Sequence, residues 1–303
     1  MLKLSRLALL VAALCLLRVG GEAATPAAGW DSVPAILARI KAPTFPARDF
    51  PITDYGAVAG GADCSDALRQ AIAACHAAGG GRVVVPAGVF HTGAIHLRSN
   101  VNLHVAEGAT LQFLTDPDKY LPAVHTRWEG VECMNYSSLI YAFEQENIAV
   151  TGGGKLDGGA DWDTWWAWND KRKGAVKQKI GRDRLLQLGE NGTPVAQRRF
   201  GAGDFLRPNF IQLYRCRNVL VEDVAIVRSP MWEIHPALSS NVTVRGVRIA
   251  SHGPNNDGCD PESCRDVLIE KCTFDTGDDC IAIKSGRDAD GRRIGVPSEN
   301  III

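Results

Sequence analysis

Residues 255–264 read NNDGCDPESC and residues 277–280 read GDDC, so four aspartates, Asp257, Asp260, Asp278 and Asp279, fall within 23 positions. An Asp-Gly pair is most simply a turn, because Asp bonds its own backbone and Gly accepts positive φ. Brought together in space, however, carboxylates repel, and a close group keeps at least one proton near neutral pH. A protonated acid beside an ionised one can cleave a glycoside: one protonates the leaving oxygen while the other activates water or attacks carbon. The same acids could instead hold Ca²⁺, which favours clustered carboxylates.

The elements that carry the acids decide whether they meet. NVLVEDVAIV from Asn218, NVTVRGVRIA from Asn241 and DVLIEKCTFD from Asp266 align, NIII from Asn300 begins a fourth copy, and looser copies start at Asn100 and Asn147. Each unit reads as two short alternating strands with a bend between them. Strand units of about two dozen residues that bury their apolar face only by stacking indicate a parallel β-helix. The expected fold is all-β, a right-handed parallel β-helix with an N-terminal capping helix. DCSDALRQAIAACHAAGGG supplies that helix: Ser65 or Asp66 caps it, Ala67, Leu68, Ala71, Ile72 and Cys75 face the core, and Gly79 ends it.

A coil length of 21 to 25 residues turns spacing into geometry. Asp278 and Asp279 follow Asp257 by 21 and 22 residues, which stacks them on adjacent coils, one strand spacing of about 4.8 Å apart. His235 is expected on the coil beneath, in contact with substrate or satisfied within its own turn. Cys259 and Cys280, also 21 apart, would bridge if their Cβ atoms align. Lys284 is expected to meet a substrate carboxylate as a point charge, whereas Arg287, Arg292 and Arg293 are expected on a solvated face. Two stretches interrupt the repeat. The tryptophans of DWDTWWAWND are expected to pack a loop rather than stack on sugars. KRKGAVKQKIGRDR, with seven Lys or Arg in fourteen positions, is ordinarily a solvated face but is also where an anionic chain could be drawn in.

The N-x-DG…D and GDDC pair, one coil apart and preceded by GGGKLDGGADWDTWW, resembles the family 28 glycoside hydrolases, the polygalacturonases, over residues 50–303. The resemblance implies hydrolysis of α-1,4-galacturonosidic bonds in pectin by an inverting single displacement, with no cofactor or metal. Asp278 would be the general acid, Asp257 and Asp279 would activate water, and Asn255 and Asp260 would line the substrate site beside His235 and Lys284. Asn256 stands where many members have threonine. The family's Gly-His-Gly and Arg-x-Lys are not reached before Ile303, so the chain is expected to be C-terminally incomplete and inactive by itself. One strand spacing is nearer the retaining separation than the roughly 6.5–9.5 Å of inverting enzymes, so the acid side chains are expected to diverge. Rival readings are a Ca-dependent pectate lyase-like β-helix and a non-catalytic glycan-binding solenoid.

The 303 residues, 46% hydrophobic with a net charge of −1, give no overall signal for nucleic acid. Lys3 and Arg6 before the short apolar run Leu7 to Leu17 read as a secretory signal, residues 1–23, followed by a linker at 24–49 and the solenoid at 50–303. The protein is expected to be secreted or periplasmic, monomeric, and without a membrane span after signal removal. Its eight remaining cysteines leave disulfide connectivity open.

Overall fold

Asparagines at the start of each repeat make the corners of the coils. In the computed structural model, which describes residues 29–174 and 176–303, Asn100, Asn147, Asn218 and Asn241 have φ of 67°, 52°, 57° and 53°. Among non-glycine residues Asn enters this left-handed region most readily. Their side chains form a ladder: Asn147 Nδ2 donates to Asn100 Oδ1 at 3.1 Å, Asn218 to Asn147 at 2.9 Å and Asn241 to Asn218 at 2.8 Å. Asp266 and Asn300 repeat the corner with φ of 57° and 56°. The expected signal segment lies outside the described residues.

Past each corner the chain enters an eight-stranded parallel sheet running from Asp49–Pro51 to Glu299–Ile302. Val219 pairs with Val242, Val242 with Val267 and Val267 with Ile301. A six-stranded sheet forms the second face, where Ile226 pairs with Ile249 and Ile249 with Phe274. The third face is a four-stranded sheet ending at Ile234–Ala237. Like residues thus stack along the axis in one continuous apolar core, and the fold is a right-handed parallel β-helix.

Helix α1 (Val33–Arg39) and the segment after it run lengthwise over the eight-stranded sheet rather than linking freely. Arg39 pairs with Asp266 at 2.9 Å, and Lys41 exchanges two backbone–side-chain bonds with Asn241. Helix α2 (Ser65–Ala77) covers the first coil with the expected apolar stripe. Its cap differs from expectation. Neither Ser65 nor Asp66 caps it; Asp63 Oδ1 accepts from the Ser65 N–H at 2.9 Å and from its hydroxyl at 2.6 Å. Among the described residues no helix is long and apolar enough to cross a membrane.

Three excursions gather on one side of the coil. An antiparallel hairpin pairs Val124–Trp128 with Val131–Asn135, a feature the repeat pattern did not announce. The basic stretch folds into α3 (Gln178–Glu190), and the loop before Asn300 contains α4 (Asp288–Ile294). Ion pairs to buried carboxylates tie them together. Arg198 Nη1 and Arg293 Nε both donate to Asp290 Oδ1, at 2.7 and 2.9 Å, and Arg293 Nη2 donates to Glu132 at 2.6 Å. Arg287 and Arg293 stay partly solvated, as expected, but their guanidiniums also pair with the hairpin's carboxylates.

Candidate active site

Beyond Ala237 the third face continues as single bridges, Ile234 to Cys259 and Cys259 to Ile281, then Glu262 to Lys284. This register sets the coil offset at 22 residues between the two acidic motifs, so the Asp279 backbone aligns with Asp257. Gly258 N–H donates to the Asp279 carbonyl at 2.9 Å. Gly258 itself is required, since a Cβ there would come within 2.5 Å of the Cys280 carbonyl oxygen. The alignment on which a Cys259–Cys280 bridge depended is not met: Cys259 is opposite Ile281, and a one-residue offset turns a side chain to the other face.

Asp257 and Asp278 line one cavity of about 570 Å³, together with Asn255, Lys284 and Trp232. Asp279 is exposed beside it, outside its lining. Lys284 Nζ lies 3.2 Å from Asp257 Oδ2 and 3.3 Å from Asp260 Oδ2, and 4.5 Å from the centroid of the Trp232 ring. The ammonium expected to meet substrate is thus committed to the two acids, in the place a cation between them would take. Burial, and then the charge of Asp257, push the Asp260 carboxyl well above the ordinary range. Asp257 is also raised, by burial and by Asp278, although Lys284 opposes this. The proton that clustered acids must retain therefore resides within the Asp257–Asp260 pair.

Asp260 is fully buried, which corrects its expected contact with substrate; it lies behind Asp257 on the same ammonium. Of the two readings of His235, contact with substrate or a satisfied histidine, its surroundings fit the second. The ring is buried, with Nε2 at 2.9 Å from Glu262 and Nδ1 at 2.8 Å from Asn209 Nδ2. In register it faces the Asp260 position rather than Asp257, because this step of the coil is 25 residues. Asn255 does reach the cavity, but its Oδ1 accepts from Arg207 at 2.8 Å and from Asn169 at 2.9 Å.

Two residues that the sequence left without a role position this turn. Asn256, fully buried, accepts at Oδ1 from the Ser251 hydroxyl at 2.7 Å and the Gly253 N–H at 2.8 Å, and donates to the carbonyls of Ser229 and Met231 at 3.1 Å each. An amide has two donors and two acceptor sites, and threonine could not replace all four bonds. Arg207, also buried, donates to Gln178 and to the carbonyls of Pro230 and Pro254, each at 2.7 Å. Burial pulls its pKa down to about 9. The signal for Asn256 was its place beside Asp257; a lone Arg207 gave none.

The tryptophans mainly pack. Trp165 is buried against Tyr120 and Trp168, and Trp166 Nε1 donates to the Ser229 carbonyl at 2.8 Å. The basic stretch has a different fate: Arg182 lines the cavity of the acids, while Lys171, Lys179 and Arg182 line an adjoining one of about 320 Å³.

Comparison with known proteins places these features. The family model "Glycosyl hydrolases family 28" matches residues 202–297. A probable polygalacturonase of Vitis vinifera is 28% identical over 74% of this chain and 41% of its own length. The exo-poly-alpha-D-galacturonosidase of Dickeya chrysanthemi is 29% identical over 82% of this chain and 44% of its own. The crystal structure of a hyperthermoactive exopolygalacturonase from Thermotoga maritima superposes with a TM-score of 0.86 at 54% identity, covering 88% of this chain and 61% of that one. The chain spans less than half the length of these two curated relatives.

Proposed function

We propose that the chain is a member of family 28 of the glycosyl hydrolases, whose model matches residues 202–297, and that the protein hydrolyses α-1,4-galacturonosidic bonds of polygalacturonate by single displacement with inversion. The observation that carries the reading is the shared cavity of Asp257 and Asp278, two carboxylates from neighbouring coils facing one space. Asp278, at the open side, enters the reaction carrying its own proton and gives it to the glycosidic oxygen, while the proton kept by the buried pair stays on Asp260. Asp257 takes the proton of the attacking water; its raised pKa makes it a stronger base than an ordinary aspartate. Lys284 keeps Asp257 ionised, and Asp279 completes the water site from the adjacent backbone position. Asn256 and Arg207 hold the turn so that the acids do not swing apart.

Release of galacturonate from a chain end is the finer reading. The hairpin turn Glu129–Gly130 and the segment Ser285–Arg287 wall the cavity, and the Dickeya and Thermotoga relatives are exo-acting by name. The lyase reading is disfavoured by Lys284, whose ammonium fills the position between Asp257 and Asp260 that Ca²⁺ would need. The apolar N-terminal run supports export of the protein.

The test is product profiling by the full-length protein on defined oligogalacturonides, with NMR of the first-formed anomer. Inverted monomer released from one end, with turnover lowered about 10²–10⁴-fold in Asp278→Asn, is expected. A retained anomer, or an unsaturated product absorbing in the ultraviolet, would overturn the reading.

A further inference from the structure

The cavity poses an electrostatic problem, because Asp257 and Asp278 repel the polyanion it is proposed to cleave. Some counter-charge must offset them, and Lys284 is committed to Asp257 and Asp260. Among the residues lining the cavity the remaining cations are Arg182 and Arg287. They come from different excursions, Arg182 from α3 and Arg287 from the segment leading into α4, and both converge on the hairpin tip. Arg182 Nε donates to Glu129 Oε2 at 2.7 Å and Arg287 Nη1 donates to the same oxygen at 2.8 Å.

Glu129 engages one N–H of each guanidinium, and each guanidinium has five. Among the described residues only Asp288, 3.6 Å from Arg287 Nε, adds a second carboxylate. The Arg182 and Arg287 side chains are 32% and 37% exposed, while Glu129 is 13% exposed. The anchor is thus buried and the forks are open. The backbone is built to the same end. Glu129 has φ of 41°, the Arg287 N–H donates to the Gly130 carbonyl at 3.1 Å, and a Cβ on Gly130 would come within 2.8 Å of Arg287 Cβ.

From this geometry we infer that Arg182 and Arg287, held together by Glu129, form a two-arginine clasp for the carboxylate of a uronate unit bound beside the acids. Planar forks suit a carboxylate better than an ammonium does. The clasp makes the site selective for free uronate over its methyl ester, which has the same shape without the charge. Because Arg182 also borders the second cavity with Lys171 and Lys179, the next unit of the chain leaves in that direction. The clasp rests on the proposed function, since it names what the same cavity grips.

Binding in the Asp278→Asn background, followed by calorimetry with trigalacturonate and its methyl ester, separates the two. Arg182→Gln and Arg287→Gln are each expected to weaken the acid at least about tenfold, the loss of one charge-assisted contact, and the ester less than about twofold. Arg182→Lys and Arg287→Lys, which keep the charge and the packing stem, are expected to fall between and serve where a glutamine variant does not fold. Equal losses for acid and ester, or none for either, would overturn the clasp. Arginine-dependent acid binding in a protein that shows no hydrolysis would leave the clasp standing and remove the hydrolase reading. Hydrolysis with an acid-over-ester preference unchanged by the variants would do the reverse.

Discussion

Lys284 Nζ and Asp257 Oδ2 are 3.2 Å apart, with Asp260 Oδ2 on the same ammonium at 3.3 Å. Burial raises Asp257 and the lysine holds it down. Replacing Lys284 with methionine removes the opposing charge, so more of Asp257 is protonated at a given pH. The acidic limb of the kcat/KM profile is expected to move to higher pH by about one unit or more. An unmoved limb with lowered kcat would show that the lysine acts on substrate instead.

The lobe over the site should be acid-sensitive. Although burial alone would raise the pKa of Glu132, His125, Tyr214 and Arg293 bring it far below the ordinary value; Asp290 is lowered likewise, by Arg293, Glu132 N–H and Arg198 against burial. Both carboxyls have folded pKa values below their unfolded ones. They contribute stability above the ordinary carboxylate range, and it is lost as pH falls through and below that range. Glu132→Gln is expected to cost about 2 kcal/mol, less than the 3–5 of a fully buried pair, because Arg215 and Arg293 are 44% exposed. Denaturant midpoints at pH 7 and pH 4 measure both effects, and the variant should lose less on acidification.

Thiol chemistry should find one site. Cys280 is exposed; burial pushes Cys216 and Cys264 up to about 12 and Cys64 and Cys75 to about 11. A thiolate reagent is expected to label the folded protein at Cys280 first, and Cys64, Cys75, Cys133, Cys216, Cys259, Cys264, Cys272 and Cys280 after denaturation without reductant. A count short by two would reveal a bridge.

Asn218 sits mid-ladder, bonded to Asn147 and Asn241 with φ of 57°. Asn218→Ala removes both bonds and leaves a residue poorly suited to that corner, at an expected cost of about 2–3 kcal/mol. Asn218→Gly keeps the conformational freedom and should recover about 1 kcal/mol of it. Thermal melts of the two variants distinguish bonding from backbone strain.

The coils were legible because stacking forces like residues into like positions. Val219, Val242 and Val267 align in the chain for the same reason that they pair in the sheet. Asp257 and Asp278 were legible through the same period. Asp260 and His235 were not, since alternation at a corner does not say which side chain turns inward, and the step from His235 to the next coil is 25 residues rather than 22. The hairpin, α3 and α4 carry no repeat, so the meeting of Glu129, Arg182 and Arg287, separated by up to 158 positions, could not be read from spacing.

The segment lying lengthwise over the first sheet has a mechanical meaning. Solenoid coils contact mainly their neighbours, so tension ordinarily peels them away one at a time. Here the strand Asp49–Pro51 belongs to the first coil, while Arg39 and Lys41 hold Asp266 and Asn241 several coils further along. The strap splices those distant coils to the first, much as a tension rod runs through a column of drums. Pulled along the axis, the coils it spans should yield in one cooperative rupture rather than singly, and they remain clamped together until that rod gives way.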